Sequence, residues 1–384
     1  MGPSGPARAA NGKGMHDQEF DYIIAGAGSA GCVLAARLSE EPGASVCLLE
    51  AGGSDDSIFI RTPALAAAML PRRLNNWCLK TVPQTGLNGR RGYQPRGRAL
   101  GGSSSINAMV YIRGHPGDFD DWERLGNPGW GYESVLPVFR SAENNERGAD
   151  AFHGASGPVN VADSRSGLDV PCQAFIDAAV AAGVRANADF NAAEQEGVGF
   201  FQVTQKNGER WSAARAYLTP EVRARSNLTI LTDALAARLV IDGKRCGGID
   251  ALVRGSLTTI RARREVIVAS GAFGSPQLLL LSGIGPGEEL RRHGIAVAHE
   301  LPGVGRRLQD HIDYIVGFTS PRRDVLGFLP TGIAHMIGGV LEYRRSRRGI
   351  PATNYAEAGA FLKDRKSTRL NSSHIQKSRM PSSA

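Results

Sequence analysis

Asp21-Tyr22-Ile23-Ile24-Ala25-Gly26-Ala27-Gly28-Ser29-Ala30-Gly31 is the stretch from which the rest of the chain is most easily read. An apolar run from Phe20 to Ala25 predicts a short strand, Gly26 to Gly31 a glycine-rich turn, and Cys32 to Leu38 a helix. A second apolar strand follows at Val46 to Glu50, completing the start of a βαβ unit. The glycines fit G-x-G-x-x-G between strand and helix. The first permits the turn, the second lets backbone approach a pyrophosphate, and the third lets helix pack on strand. Glu50 lies nineteen residues beyond Gly31, where a carboxylate would accept hydrogen bonds from the ribose hydroxyls of an adenosine. The reading is a dinucleotide site. The plainer alternative is that the glycines serve only a tight turn.

Outward from this unit, Gly97 to Asn107 is again rich in glycine and serine, then turns apolar from Met109 to Ile112. The segment Tyr132 to Glu143 reads as an amphipathic helix, Pro158 to Val161 as a strand, Ala174 to Ala182 as a helix, and 187–200 as irregular loop. Short β-rich runs recur at 228–231, 237–241, 248–253, 257–260 and 266–268, with Asp242-Gly243 as one turn between them. They predict an antiparallel sheet feeding back into the parallel one, followed by a helix at Ser275 to Leu281. The 325–341 segment, broken by Pro330, His335 and several glycines, reads as a loop and a packed helix. It is too short for the roughly 20 apolar residues of a membrane span.

At 384 residues, 42% hydrophobic and 21% charged, the chain has the composition of an enzyme-sized globular protein. The net charge of +8 is scattered, and four of its cations, Lys366, Arg369, Lys377 and Arg379, fall in the last nineteen residues. No aromatic interleaving or reader motif accompanies them, so no nucleic-acid partner is expected. The five cysteines stand far apart without a C-x-x-C pair, which predicts reduced thiols and neither a zinc site nor a disulfide scaffold. The first nineteen residues show no apolar core of a secretory signal, and the expected location is the cytoplasm, with a peripheral inner-membrane contact as the alternative.

Three segments carry a family resemblance. The first is the Asp21 to Gly31 run with Leu48-Leu49-Glu50-Ala51-Gly52-Gly53. The second is Gly97-Arg98-Ala99-Leu100-Gly101-Gly102-Ser103-Ser104-Ser105-Ile106-Asn107, continuing through Tyr111, Gly114 and Asp120. The third is Gly271-Ala272-Phe273-Gly274-Ser275-Pro276-Gln277 through Pro286. Together they resemble the glucose-methanol-choline oxidoreductase family. The resemblance implies an α/β fold: a Rossmann-like parallel sheet that binds FAD, with antiparallel inserts, plus an incomplete α+β substrate domain. It implies a cofactor site of Gly26, Gly28, Ser29, Ala30, Gly31, Glu50, Ala51, Arg98, Gly101, Gly102, Ser103, Ser104, Asn107, Ala108, Met109, Val110, Leu235, Ser270 and Gly271. Leu235 enters as the position near which relatives place a backbone hydrogen bond to the adenine. Asn107, with neighbouring backbone amides, would favour the extra negative charge of a reduced flavin. Members with covalent flavin attached through this loop carry a histidine before the asparagine. Ile106 stands there instead, so non-covalent FAD is expected.

The run Gly303 to His311 resembles another family segment, and His311 is given a structural role near the cofactor. Glu357 is a candidate for the substrate pocket, with a structural role as the equal alternative. The resemblance extends from about Phe20 to Asp364, whereas Lys366 to Ala384 resembles neither the family nor a folded element. The expected division is a disordered leader over 1–19, an FAD domain over 20–150 and 212–310, a substrate domain over 151–211 and 311–365, and a foreign-looking tail over 366–384. Relatives supply the proton-accepting histidine from a later segment, so no catalytic residue is assigned here and a weakened hold on FAD is expected. The implied reaction is hydride transfer from a primary alcohol to flavin, giving an aldehyde, with a quinone, cytochrome or oxygen as electron acceptor. The alternatives are a catalytically inert FAD-binding fragment and a nicotinamide-dependent reductase.

Overall fold

A computed structural model describes residues 18–311, 315–317 and 330–363, with side chains of the last helix described from Ile337 onward. The expectations for the leader to residue 17, for 325–329 and for the tail from 366 lie outside those residues. The chain divides into two compact units. One is formed from residues up to Ser54, Arg98–Gly102 and Leu218–Leu308; the other from Asp55–Gly97, Ser103–Tyr217 and the described residues from Gln309 onward.

The first unit is built on β1 (Glu19–Ala25), α1 (Ser29–Leu38) and β2 (Val46–Leu49). The strands β3 (Leu228–Leu231), β4 (Ala234–Asp242), β5 (Arg245–Val253) and β6 (Ser256–Val268) then complete one six-stranded sheet of order β3-β2-β1-β6-β5-β4. Strands β3, β2, β1 and β6 run parallel, with Ile23 opposite Cys47 and Val266, and Ala25 opposite Leu49 and Val268. The other end of β6 pairs antiparallel with β5, and β5 with β4. This is the parallel sheet with antiparallel inserts that the sequence implies.

Four of the β1 residues and all of β2 are buried, as expected of parallel strands covered on both faces. Ile23, Cys47, Leu49, Leu239, Ile249, Ile260 and Leu278 join in one core cluster, the last from α2 (Gly271–Leu281). Burying each large aliphatic side chain among them contributes about 1.5–3 kcal/mol. At the N-terminal end of β1, the Asp21 carboxylate accepts from Arg263, Ser45 N and Ser45 Oγ, and these bonds, that of Arg263 first, hold its pKa well below the usual carboxylate range.

Two readings of this region need correction. The runs at 257–260 and 266–268 are parts of the single strand β6, which pairs with β5 as far as Arg261 and with β1 from Arg261 to Val268, bulging at Arg263 and Arg264 before pairing resumes at Glu265. The α1 helix begins at Ser29 rather than Cys32, the small residues after Gly28 forming its first turn.

The second unit joins short elements. The helix Pro116–Arg124 is started by a capping box, in which His115 Nδ1 accepts from Gly117 N and Asp118 Oδ2 accepts from His115 N. A helix at Tyr132–Ala142 runs into the strand Glu143–Asn145, which pairs with Val159–Asp163. A helix spans Asp169–Ala181. The segment read as loop over 187–200 ends in a strand, Gly197–Phe200, because Ala358–Phe361 supplies an antiparallel partner far away in sequence. The expected helix near 330–341 spans Pro330–Ser346; Ile337 and Leu341 are exposed on it, while Tyr343 is buried.

Residues on both sides of Asp150 are tied together within this unit. Buried Arg113 and Glu143 form an ion pair of 2.5 Å. His153 Nδ1 lies 3.0 Å from Glu143 and His153 Nε2 lies 3.1 Å from Asp189. Breaking a buried ion pair by removing one partner costs about 3–5 kcal/mol, so this network ties 103–150 to the residues that follow. His153 is accordingly a buried histidine held between two carboxylates. Its two carboxylate neighbours, Asp189 first and Glu143 second, raise its pKa to about 9.

Candidate dinucleotide site

In the first unit the site is set by how closely backbone meets backbone. Gly26, at φ +104°, turns the chain out of β1, and a Cβ there would stand 2.7 Å from Ala269 O. A Cβ on Gly31 would stand 1.9 Å from Gly26 O, so only glycine lets α1 close on the turn. Gly28 differs from both. It is the N-cap of α1, carries no side chain to cap the helix, and a Cβ on it would meet nothing within 4 Å. The residues after it, Ser29 and Ala30, are exposed. An exposed helix start of this kind, with no capping side chain, offers amide donors and a positive dipole end to an anion.

Glu50 closes one side of this turn. Its Oε2 accepts from Ala27 N at 3.1 Å and its Oε1 from Gly52 N at 2.8 Å. The side chain is 6% exposed, and burial raises its pKa to about 7 against the opposing pull of those two amides and of Arg98. The carboxylate is therefore aligned by backbone while sitting at the edge of ionisation.

The second glycine segment reaches the same turn, a meeting that no spacing in the sequence indicates. Gly101 N donates to Ala27 O at 2.8 Å, and Leu100 N donates to Gly53 O at 3.0 Å. Gly102, at φ +54°, lies so close that its Cβ would be 2.7 Å from Gly28 Cα. Gly52 presses on this segment likewise, its Cβ position being 2.0 Å from Arg98 O. Arg98 is exposed, and its Nε donates to Ala51 O at 3.2 Å. Ala234 N donates to Glu50 O at 2.9 Å, which places Leu235 one residue along β4 from the Glu50 strand end. Ser270 Oγ donates to Ala25 O at 2.9 Å, and exposed Gly271 follows at the start of α2. So Gly26, Gly28, Ser29, Ala30, Gly31, Glu50, Ala51, Arg98, Gly101, Gly102, Leu235, Ser270 and Gly271 all border the carboxyl ends of the parallel strands, where open α/β sheets take ligands.

The remaining candidates belong to the second unit. Ser103 and Ser104 continue a short helical turn begun at Gly102, and Asn107 and Ala108 are exposed beyond it. Ile106 is buried at 2% exposure. Asn107 Oδ1 accepts from Met109 N at 3.1 Å; Met109 itself adopts φ +57°, a strained value for a side chain of its size. Val110 bridges to Val203, fixing the loop's exit.

Of the other residues singled out, Asp310 is bonded by Gln94 Nε2 at 2.9 Å, and exposed His311 donates its backbone N–H to Asp310 Oδ1. Glu357 is buried, with Ser166 Oγ donating to its Oε2. Sequence reasoning passed over Arg210, which is 0% exposed and bonded to Ile60 O, Ser104 O and Asn107 O. No helix among the described residues is long and apolar enough to cross a membrane.

The comparisons with known proteins agree with this geometry. Over 351 residues the chain is 43% identical to an alcohol dehydrogenase (acceptor) of Pseudomonas putida, covering 90% of this chain and 62% of that protein. It is 44% identical to an oxygen-dependent choline dehydrogenase of Vibrio vulnificus, covering 91% and 62%. An FAD-dependent oxidoreductase from Chaetomium thermophilum superposes with a TM-score of 0.77 at 31% identity, over 88% of this chain and 61% of that one. The chain thus spans about 62% of the length of the curated relatives it matches. A family model described as GMC oxidoreductase matches residues 20–313, and the chain belongs to that family.

Proposed function

We propose that the chain binds FAD without a covalent link and that the protein it represents oxidises a primary alcohol to an aldehyde. The observation that carries the reading is the bare N-terminus of α1, with open space at Gly28 and the aligned Glu50 carboxylate beside it. In the first unit, the amides of Ser29 and Ala30 would hold the diphosphate and Glu50 the ribose hydroxyls, while Arg98 adds positive charge. In the second unit, Ser103, Ser104 and the exposed Asn107 and Ala108 would face the ring, as the family resemblance implies. FAD, when bound, supplies the hydride acceptor.

The chain's own residues bind and orient. Ile106 offers a buried alkyl group where a covalent link would need a nucleophile, which supports non-covalent binding. Alcohol oxidation also needs a base for the hydroxyl proton. His115 is occupied as a helix cap, and His153 is locked between Glu143 and Asp189. We assign the base to neither, and leave the electron acceptor as a quinone, a cytochrome or oxygen. Anaerobic addition of choline or an aliphatic primary alcohol to FAD-loaded protein tests the reading. Bleaching of the flavin absorbance supports alcohol oxidation; a stable flavin spectrum favours a cofactor-binding role alone. NADH uptake without flavin uptake would instead support a nicotinamide-dependent reductase.

A further inference from the structure

Among the described residues Arg210 is the largest fully buried side chain, and it makes no ion pair with any of them. Its partners are neutral oxygens. Nε donates to Ile60 O at 3.0 Å, while Nη1 donates to Ser104 O at 3.1 Å, Asn107 O at 2.7 Å and Asn107 Oδ1 at 2.8 Å. Nη2 is buried with no partner. Burial lowers the guanidinium pKa to about 9, so it remains cationic at neutral pH. A buried cation without a carboxylate is costly for a fold to keep, and hydrogen-bonding one loop three times is a specific use for it.

The consequence lies in the orientation of Asn107. Its Oδ1 accepts from both Arg210 Nη1 and Met109 N, so the amide oxygen is turned inward. The Nδ2 group, two donors on an exposed residue, is left on the outward side of the loop. Without Arg210 the amide could flip and present an acceptor instead.

We propose that Arg210 is a positioning residue that fixes the Asn107 amide with its donor outward, toward the negative charge of the reduced flavin. The inference rests on the FAD reading above. The guanidinium adds a fixed positive charge behind the same loop, so both effects favour the reduced cofactor.

The test compares the wild-type chain with Arg210→Lys, Arg210→Met and Asn107→Ala, measuring FAD uptake, the midpoint potential of the bound flavin and thermal unfolding. Loss of one aligned hydrogen bond lowers the preference for reduced flavin about tenfold, or about 30 mV for a two-electron couple. Arg210→Met and Asn107→Ala should each show at least that fall, with Arg210→Lys in between. The double variant Arg210→Lys/Asn107→Ala should fall no further than Arg210→Lys alone plus the lost charge-independent share of Asn107, less than the sum of the two single variants. If Arg210→Met does not fold, the exposed Asn107→Ala still carries the test. An unchanged potential in Asn107→Ala, or strict additivity in the double variant, overturns the proposal while FAD binding stands. Failure of the folded wild-type chain to take up FAD overturns the cofactor reading and this proposal together.

Discussion

Replacing Gly28 by alanine should separate cofactor binding from folding. The position has φ −72° and ψ −165°, which alanine adopts freely, and its Cβ would meet nothing within 4 Å. As an N-cap, alanine is worse than glycine by up to about 1 kcal/mol. The more restricted unfolded chain returns about 0.4–1 kcal/mol. These terms nearly cancel, so the unliganded variant should melt within a few degrees of wild type. The methyl group would stand where the diphosphate must approach backbone. Losing one charge-assisted hydrogen bond there costs about 1.5–3 kcal/mol, roughly a 10- to 150-fold weaker FAD affinity.

Gly31→Ala is the matched control. Its Cβ would fall 1.9 Å from Gly26 O, a backbone atom, so this variant should fail to fold normally whether or not FAD is present. The assay is flavin fluorescence titration for affinity, with thermal unfolding of the cofactor-free proteins. Unchanged FAD affinity in Gly28→Ala would refute the reasoning. So would a cofactor-free Gly28→Ala as unstable as Gly31→Ala, since the methyl would then be meeting protein rather than open space.

Three further outcomes are expected. Glu50 has its folded pKa raised to about 7 from 4.5, so in the cofactor-free protein its stabilising share is present below about pH 4.5 and lost as pH rises through about 7. Ribose hydroxyls donate to the ionised form, so FAD should bind roughly tenfold more weakly at about pH 6 than at about pH 8, with proton release on calorimetry. A pH-independent affinity, or the same dependence in Glu50→Gln, would rule this out. His153 has its folded pKa raised from 6.5 to about 9, so its contribution, roughly 3 kcal/mol, is complete below about pH 6.5 and lost as pH rises through about 9. Urea midpoints should fall over that window in wild type and stay flatter in His153→Gln; equal slopes would contradict the network. Finally, acid denaturation of the FAD-loaded chain should leave all flavin in the supernatant, because Ile106 cannot form a link; yellow precipitate would show otherwise.

The parts of the fold legible in the sequence are those fixed by local chemistry. Apolar Tyr22 to Ala25, the turn at Gly26 and the buried strand to Leu49 each follow from neighbouring residues, and Leu228–Leu231 was bounded to the residue. The sequence divides strand β6 because Arg263, Arg264 and Glu265 interrupt its apolar pattern, yet the strand passes from β5 to β1 there through a bulge, and its pairing with β1 resumes at Glu265 whatever the side-chain polarity. Strand Gly197–Phe200 was unreadable for a related reason: its partner comes from Ala358–Phe361.

Within the candidate site, Gly28 and Glu50 announce themselves by spacing, whereas the seating of Gly102 on Gly28 requires two loops to meet in space. Arg210 was missed because a buried arginine bonded to carbonyls leaves no pairing acid and no motif to find. His153 likewise offered no sign of its partners, since Glu143 and Asp189 reach it from separate elements.

The central claim, that the bare start of α1 and the Glu50 carboxylate hold a flavin dinucleotide, is tested most directly by a crystal structure of the chain soaked with FAD. The diphosphate should lie against the amides of Ser29 and Ala30 and the adenosine ribose within hydrogen-bond reach of Glu50. Density for FAD elsewhere on the protein, with that helix end left to solvent, would contradict it.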